Sequence, residues 1–142
     1  MLDNVARSLL PVVPYLKIPE NGEPYLEGLK CNQCGSIFTD KRLHCACCCA
    51  KNSLSPFAIS YTGKIHAFTV VERSFPKIKV PYVSVVVDMD GGGTIKGNLI
   101  NIEPDPDKIH CGMKVDVVFE QAPYGDKEGN QYLIYLFQPV NT

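Results

Sequence analysis

Neither sign of charge dominates this chain. Fourteen Lys and Arg stand against fifteen Asp and Glu over 142 residues, a formal net charge of −1. That balance excludes bulk electrostatic capture of nucleic acid or of an anionic membrane. Long apolar runs are absent as well. The longest near the N-terminus is broken by Pro11 and Pro14, and it lacks the order of charge, apolar core and small residues that marks a signal peptide. The expectation is a soluble, cytoplasmic protein holding one ordinary domain, or a small module plus a compact barrel. Catalytic signatures are missing too. There is no Gly-x-Ser-x-Gly and no His-Glu-x-x-His, and Gly91-Gly92-Gly93 lacks the Lys-Ser/Thr that follows a phosphate loop. It reads as a hairpin turn that needs positive φ. The three histidines are scattered, and His66 reads as a packing residue in a strand. The carboxylate pairs Asp88/Asp90 and Asp105/Asp107 flank turns and read as solvated. No set of nucleophile, base and oxyanion donors assembles from these residues.

Cysteine, by contrast, is concentrated. Six of the seven cysteines fall within nineteen residues, between Cys31 and Cys49. A disulfide framework spreads its cysteines out, so this crowding suits a reducing compartment and a metal. Cys31-Asn32-Gln33-Cys34-Gly35 is a knuckle, and within Cys45-Ala46-Cys47-Cys48-Cys49 only Cys45 and Cys48 repeat its spacing. Two such hooks close a tetrahedral thiolate cage, the arrangement zinc prefers in structural sites. The expected ligands are Cys31, Cys34, Cys45 and Cys48. The competing reading, four unligated thiols in a small core, fails because the stretch is poor in large apolar residues. Binding of this kind contributes about 10–16 kcal/mol and is in effect the folding energy of the module. Iron of the rubredoxin type is the metal alternative, but its knuckles usually lie farther apart than the ten residues that separate Cys34 from Cys45. Cys47 and Cys49 are then spare, His44 is a weaker ligand than a fourth sulfur, and Cys111 reads as a small buried hydrophobe.

Around the cage, residues 3–10 suit one or two helical turns capped by Asp3 or Asn4, and residues 11–24 are Pro-rich and extended. Ser53 to Pro56 reads as a linker. The remainder reads as about five strands: Lys64 to Glu72, Tyr82 to Asp88, Thr94 to Ile102, Lys114 to Glu120 and Tyr132 to Phe137. In the first, Ile65, Ala67, Thr69 and Val71 would share one face and His66, Phe68 and Val70 the other. Five short strands with no strong helix among them point to a small barrel, with the oligonucleotide/oligosaccharide-binding (OB) barrel the natural candidate. The expected organisation is a docking segment over 1–24, a zinc ribbon over 25–56 and an OB-fold domain over 57–142. One loop carries a ligand signal. Arg73-Ser74-Phe75-Pro76-Lys77-Ile78-Lys79 places three cations around an aromatic ring, a composition that suits a phosphorylated, adenine-bearing ligand or single-stranded nucleic acid.

The order of these features resembles a known family. Tyr25-Leu26-Glu27-Gly28 leads into the first knuckle and then the second. Gly63-Lys64-Ile65-His66-Ala67-Phe68-Thr69-Val70-Val71 follows, then Pro81-Tyr82 opening a Val-rich strand, and last Ile109-His110-Cys111-Gly112-Met113-Lys114-Val115. Over roughly residues 25 to 138 the chain is similar to the acyl-CoA-associated family that joins a rubredoxin-like zinc ribbon to an OB-fold domain, long called a domain of unknown function. The departures are Cys49 in place of a glycine, no proline between the knuckles, and the short N-terminal helical region. The resemblance implies a non-catalytic, zinc-binding small subunit in a hetero-oligomer with a thiolase-superfamily large subunit. The catalytic cysteine would belong to the large subunit, and the OB domain would help complete or cover the acyl-CoA site. On that reading Arg73, Phe75, Lys77 and Lys79 approach the CoA. Single-domain size and the short N-terminus point within the family to the small subunit of benzoylsuccinyl-CoA thiolase, of anaerobic toluene breakdown. Two rivals stand beside it: a nucleic-acid-binding ribbon/OB module, and an iron-dependent electron-transfer protein.

Overall fold

The computed structural model describes residues 9–140. It divides into two compact units, Met1–Ile59 with Phe119–Tyr135, and Ser60–Val118 with Leu136–Thr142. The helical turns expected over residues 3–10 lie outside the described residues, apart from Leu9 and Leu10.

In the first unit, β1 (Leu10–Pro11), β2 (Leu16–Lys17), β3 (Tyr25–Cys31), β4 (Ile37–Phe38) and β5 (Leu54–Ala58) follow one another. β3 is the spine: it pairs antiparallel with β2, β4 and β5. Ser53 to Pro56 is therefore no simple linker. Leu54, Ser55 and Pro56 pair with Cys31, Lys30 and Leu29, so that stretch is a strand of the ribbon sheet. The Pro-rich segment lies on other strands, as its lack of apolar periodicity requires: Leu16 pairs with Leu26 and is fully buried. Leu10 and Pro11 pair in parallel with Tyr132 and Leu133. Gly28 sits where β3 approaches its neighbours, and a Cβ there would meet Phe38 O at 2.8 Å.

The second unit is built on an antiparallel meander of β6 (Thr62–Val71), β7 (Tyr82–Met89) and β8 (Thr94–Leu99). The β7–β8 turn uses positive φ at Gly91, Gly92 and Gly93, which β-carbon-bearing residues adopt only with strain. β8 ends at Leu99, short of the expected Ile102, and Asp105 then caps a 3₁₀ turn, Pro106–Lys108. β9 (Lys114–Gln121) pairs with β6, β10 (Tyr132–Pro139) runs parallel to β8, and β9 and β10 also pair. That circuit makes a five-stranded OB-type barrel. Its interior holds Ile65, Val83, Val85, Val87, Ile95, Val115 and Phe137, all buried.

The faces of β6 differ from simple alternation. The register shifts between Ile65 and Ala67, leaving His66 as the extra residue of a β-bulge. A bulge reverses the side on which later residues fall. Gly63 and Ile65 face inward, but beyond the bulge Phe68 and Val70 are half-buried, as is Val71 at the strand end, while Ala67 and Thr69 are exposed. His66 is exposed, and its Nδ1 lies 2.9 Å from Asp88 Oδ2. Asp88 also accepts from Thr94 Oγ1, and Asp90 from Thr62 Oγ1, so this carboxylate pair is engaged with its neighbours. β7 alternates as well, with Val83, Val85, Val87 and Met89 inward.

Candidate metal centre

The two knuckles are built alike, fourteen residues apart. In the first, Gly35 N–H donates to Cys31 O at 2.9 Å and Cys31 N–H to Ser36 O at 2.8 Å. In the second, Cys49 N–H donates to Cys45 O at 3.1 Å and Cys45 N–H to Ala50 O at 3.0 Å. Each turn also aims amides at sulfur. Gln33 N–H reaches Cys31 Sγ at 3.4 Å, and Cys47 and Cys48 N–H reach Cys45 Sγ at 3.3 and 3.4 Å. Such donors stabilise thiolate over thiol. The end of β3 carries Cys31 into the site, and β5 follows directly on the second knuckle. His44 takes no place in the cage: it bridges to Lys51 and accepts from Asn52 N–H at 3.3 Å.

The four expected ligands come together. Cys31, Cys34, Cys45 and Cys48 place their sulfurs within 4.8 Å of one another. Cys31 and Cys48 are 3.7 Å apart, and Cys34 and Cys45 are 3.5 Å apart. A tetrahedron with metal–sulfur bonds of about 2.3 Å has S···S edges of about 3.8 Å, so the donor set fits a four-coordinate soft cation. Cys31 and Cys45 are buried, Cys34 and Cys48 exposed.

Two serines complete the surroundings, and the spacing argument did not single them out. Ser53, itself buried, sits 3.2 Å from Cys31 Sγ, and Ser36 accepts from Cys34 Sγ at 3.2 Å. The Ser53 hydroxyl, with backbone donors, brings the Cys31 thiol down to about 6. Ser36 likewise lowers Cys34. At Cys48 an Ala50 backbone bond pulls downward, but partial desolvation by the neighbouring groups and the sulfurs of Cys31, Cys45 and Cys34 outweigh it and push the thiol up to about 12. Sulfurs packed this closely oppose one another's ionisation, and a cation at their centre removes the conflict.

The other cysteines stand apart. Cys47 and Cys49 are exposed, and neither is in the cage. Cys111 is also exposed, which corrects its reading as a buried hydrophobe: it sits on the turn before β9, where Gly112 has a φ of 89° and donates to Ile65 O at 2.7 Å. Arg73, Phe75, Lys77 and Lys79 lie on the ten-residue loop between β6 and β7, all exposed. Cation–π contacts form elsewhere, with Lys30 over Phe57 at 5.1 Å and Arg42 over Phe38 at 4.2 Å.

Fold and site define a class: a small ribbon sheet whose four converging thiols could hold a metal ion, and an OB-type barrel. Comparison with known proteins agrees. Residues 58–120 match the model of the ChsH2 C-terminal OB-fold domain. A DUF35 domain-containing scaffold protein of Methanothermobacter thermautotrophicus is 30% identical over 116 residues, covering 80% of this chain and 86% of that one. A second, from Pyrococcus furiosus, is 30% identical over 118 residues, covering 81% and 83%. The benzoylsuccinyl-CoA thiolase subunit BbsA of Geobacter metallireducens is 24% identical over 103 residues, covering 72% and 67%. Among solved structures, an Ltp2-ChsH2(DUF35) aldolase chain superposes with a TM-score of 0.64 at 24% identity, over 81% of this chain and 84% of that one. The chain belongs to the DUF35 family.

Proposed function

We propose that this protein is the zinc-binding accessory subunit of a thiolase-superfamily enzyme that acts on an acyl-CoA. The observation that carries the reading is the cage itself. It is closed by four protein sulfurs, with no corner left for water or substrate, and such sites hold structure. Zinc is the ion this reading assigns, on the short gap between the knuckles and the S···S edges. Kinship supports the assembly role: relatives are named a scaffold protein and a thiolase subunit.

In this reading residues up to 24 dock the chain, residues 25–56 form the zinc ribbon, and residues 57–142 form the OB domain beside the substrate. Docking by the N-terminal segment is supported by its exposed Leu10 and Val12, and by an open cavity of about 660 Å³ lined by Leu9, Pro11, Pro14, Leu16, Ile18 and Pro19 among others. A role for the β6–β7 loop at the CoA is supported by composition alone: Arg73, Lys77 and Lys79 would meet its phosphates and Phe75 its base. Benzoylsuccinyl-CoA is the specific substrate assigned to the complex, after the thiolase relative.

The test is to isolate the tagged chain from its native cells and measure complex mass, metal content and acyl-CoA thiolysis on one sample. A zinc-loaded complex with a thiolase-type subunit supports the reading. A lone zinc-loaded chain, or one carrying nucleic acid, overturns it.

A further inference from the structure

Among the described residues the most exposed large apolar side chain is Phe75, at 79%, and Ile78 three residues on is 46% exposed. They are the two ends of one turn, Phe75-Pro76-Lys77-Ile78, closed by Ile78 N–H donating to Phe75 O at 3.0 Å. Pro76 at the second position pre-sets that turn, so little conformational freedom is left to lose on binding. The turn crowns the ten-residue loop between β6 and β7, whose ends are clamped by the Val71–Tyr82 pair. Arg73, Lys77 and Lys79 flank it in the chain, all exposed, and the nearest acid in sequence is Glu72 at the stem.

We propose that this turn is a docking anchor for the large subunit of the acyl-CoA enzyme, seating Phe75 and Ile78 in an apolar pocket rimmed by carboxylates. The inference rests on the accessory-subunit reading and gives Phe75 and its flanking cations to the partner subunit in place of the CoA contacts named above. A nucleotide is held through stacking and charge, which Phe75 and the cations supply without Ile78. A protein pocket uses both side chains, and a preordered aromatic–aliphatic pair ringed by cations matches an interface patch with an apolar centre and a polar rim. The cations then act on encounter: positive charge on the loop attracts a negative rim and raises the association rate in a salt-dependent way.

The experiment uses the purified thiolase-type subunit found in the native complex, titrated with wild type, F75S/I78S and K77E/K79E. Expected results are a hundredfold or greater loss of affinity for F75S/I78S, and for K77E/K79E an association rate lowered about tenfold with a flatter salt dependence. Thermal midpoint and metal content should not change in either variant, since none of these residues packs in the barrel. Binding of F75S/I78S within twofold of wild type overturns the inference. So does normal assembly accompanied by a raised KM for acyl-CoA, which would make the loop a ligand site alone. A wild type that binds no thiolase-type subunit overturns the functional reading as well, which separates the two failures.

Discussion

Cys49 occupies the same backbone position in the second knuckle that Gly35 occupies in the first. Their φ angles are 65° and 81°, and each N–H closes its turn onto the carbonyl of the knuckle's first cysteine, Cys45 or Cys31. A glycine adopts this left-handed conformation freely, whereas a residue with a β-carbon is strained there by about 1–2 kcal/mol. Substituting C49G removes that strain and returns part of the gain as unfolded-chain entropy. The expected net effect is about 0.5–1 kcal/mol of added stability in the ribbon, read as greater resistance of the bound metal to a competing chelator.

The cage makes a sharp contrast between neighbouring cysteines. C34S removes a sulfur that lies 3.5 Å from Cys45 and should lose most of the metal and unfold the ribbon, because metal binding supplies about 10–16 kcal/mol in such modules. C47S should be nearly silent, since Cys47 serves the site through its backbone amide. Metal content and hydrogen exchange over residues 25–56 check both. Equal damage from the two variants would mean the ligand set is misassigned.

Gly63 tests the barrel wall. A β-carbon there would lie 2.6 Å from Asp88 O and 3.1 Å from Met89 Cα, backbone atoms that move only if β6 and β7 separate. G63A should therefore destabilise by about 1–3 kcal/mol, as overpacking does. Urea unfolding with an unchanged slope would report it. A loss below 0.5 kcal/mol would show that the strands part easily.

The loop after β9 gives a pH prediction. Asn130, through its side chain and its backbone, holds Asp126 at about 2, with Tyr132 OH and Glu128 N–H also donating. The group's ordinary value is 3.8, so its contribution is fully present above that value and fades as pH falls through about 2. D126N should lower stability at neutral pH, with the difference from wild type closing as pH approaches 2. A carboxyl titration near 3.8 by NMR would contradict it.

Much of this molecule is legible in the chain because the relevant physics is local. Two Cys-x-x-Cys hooks fold the same way wherever a metal closes them, so spacing alone named the four residues whose sulfurs converge. Turn chemistry at Gly91–Gly93 and apolar alternation placed the five barrel strands to within a few residues. What the tertiary structure decided is non-local. The bulge at His66 arises from pairing with β7, and it turns Phe68 and Val70 inward where strict alternation puts Ala67 and Thr69. Leu54–Ala58 becomes a strand because β3 offers it an edge. Cys111 is exposed because the turn before β9 is pinned to β6, Gly112 N–H donating to Ile65 O at 2.7 Å. In each case the deciding contact comes from another strand, beyond the reach of a periodicity read along one segment.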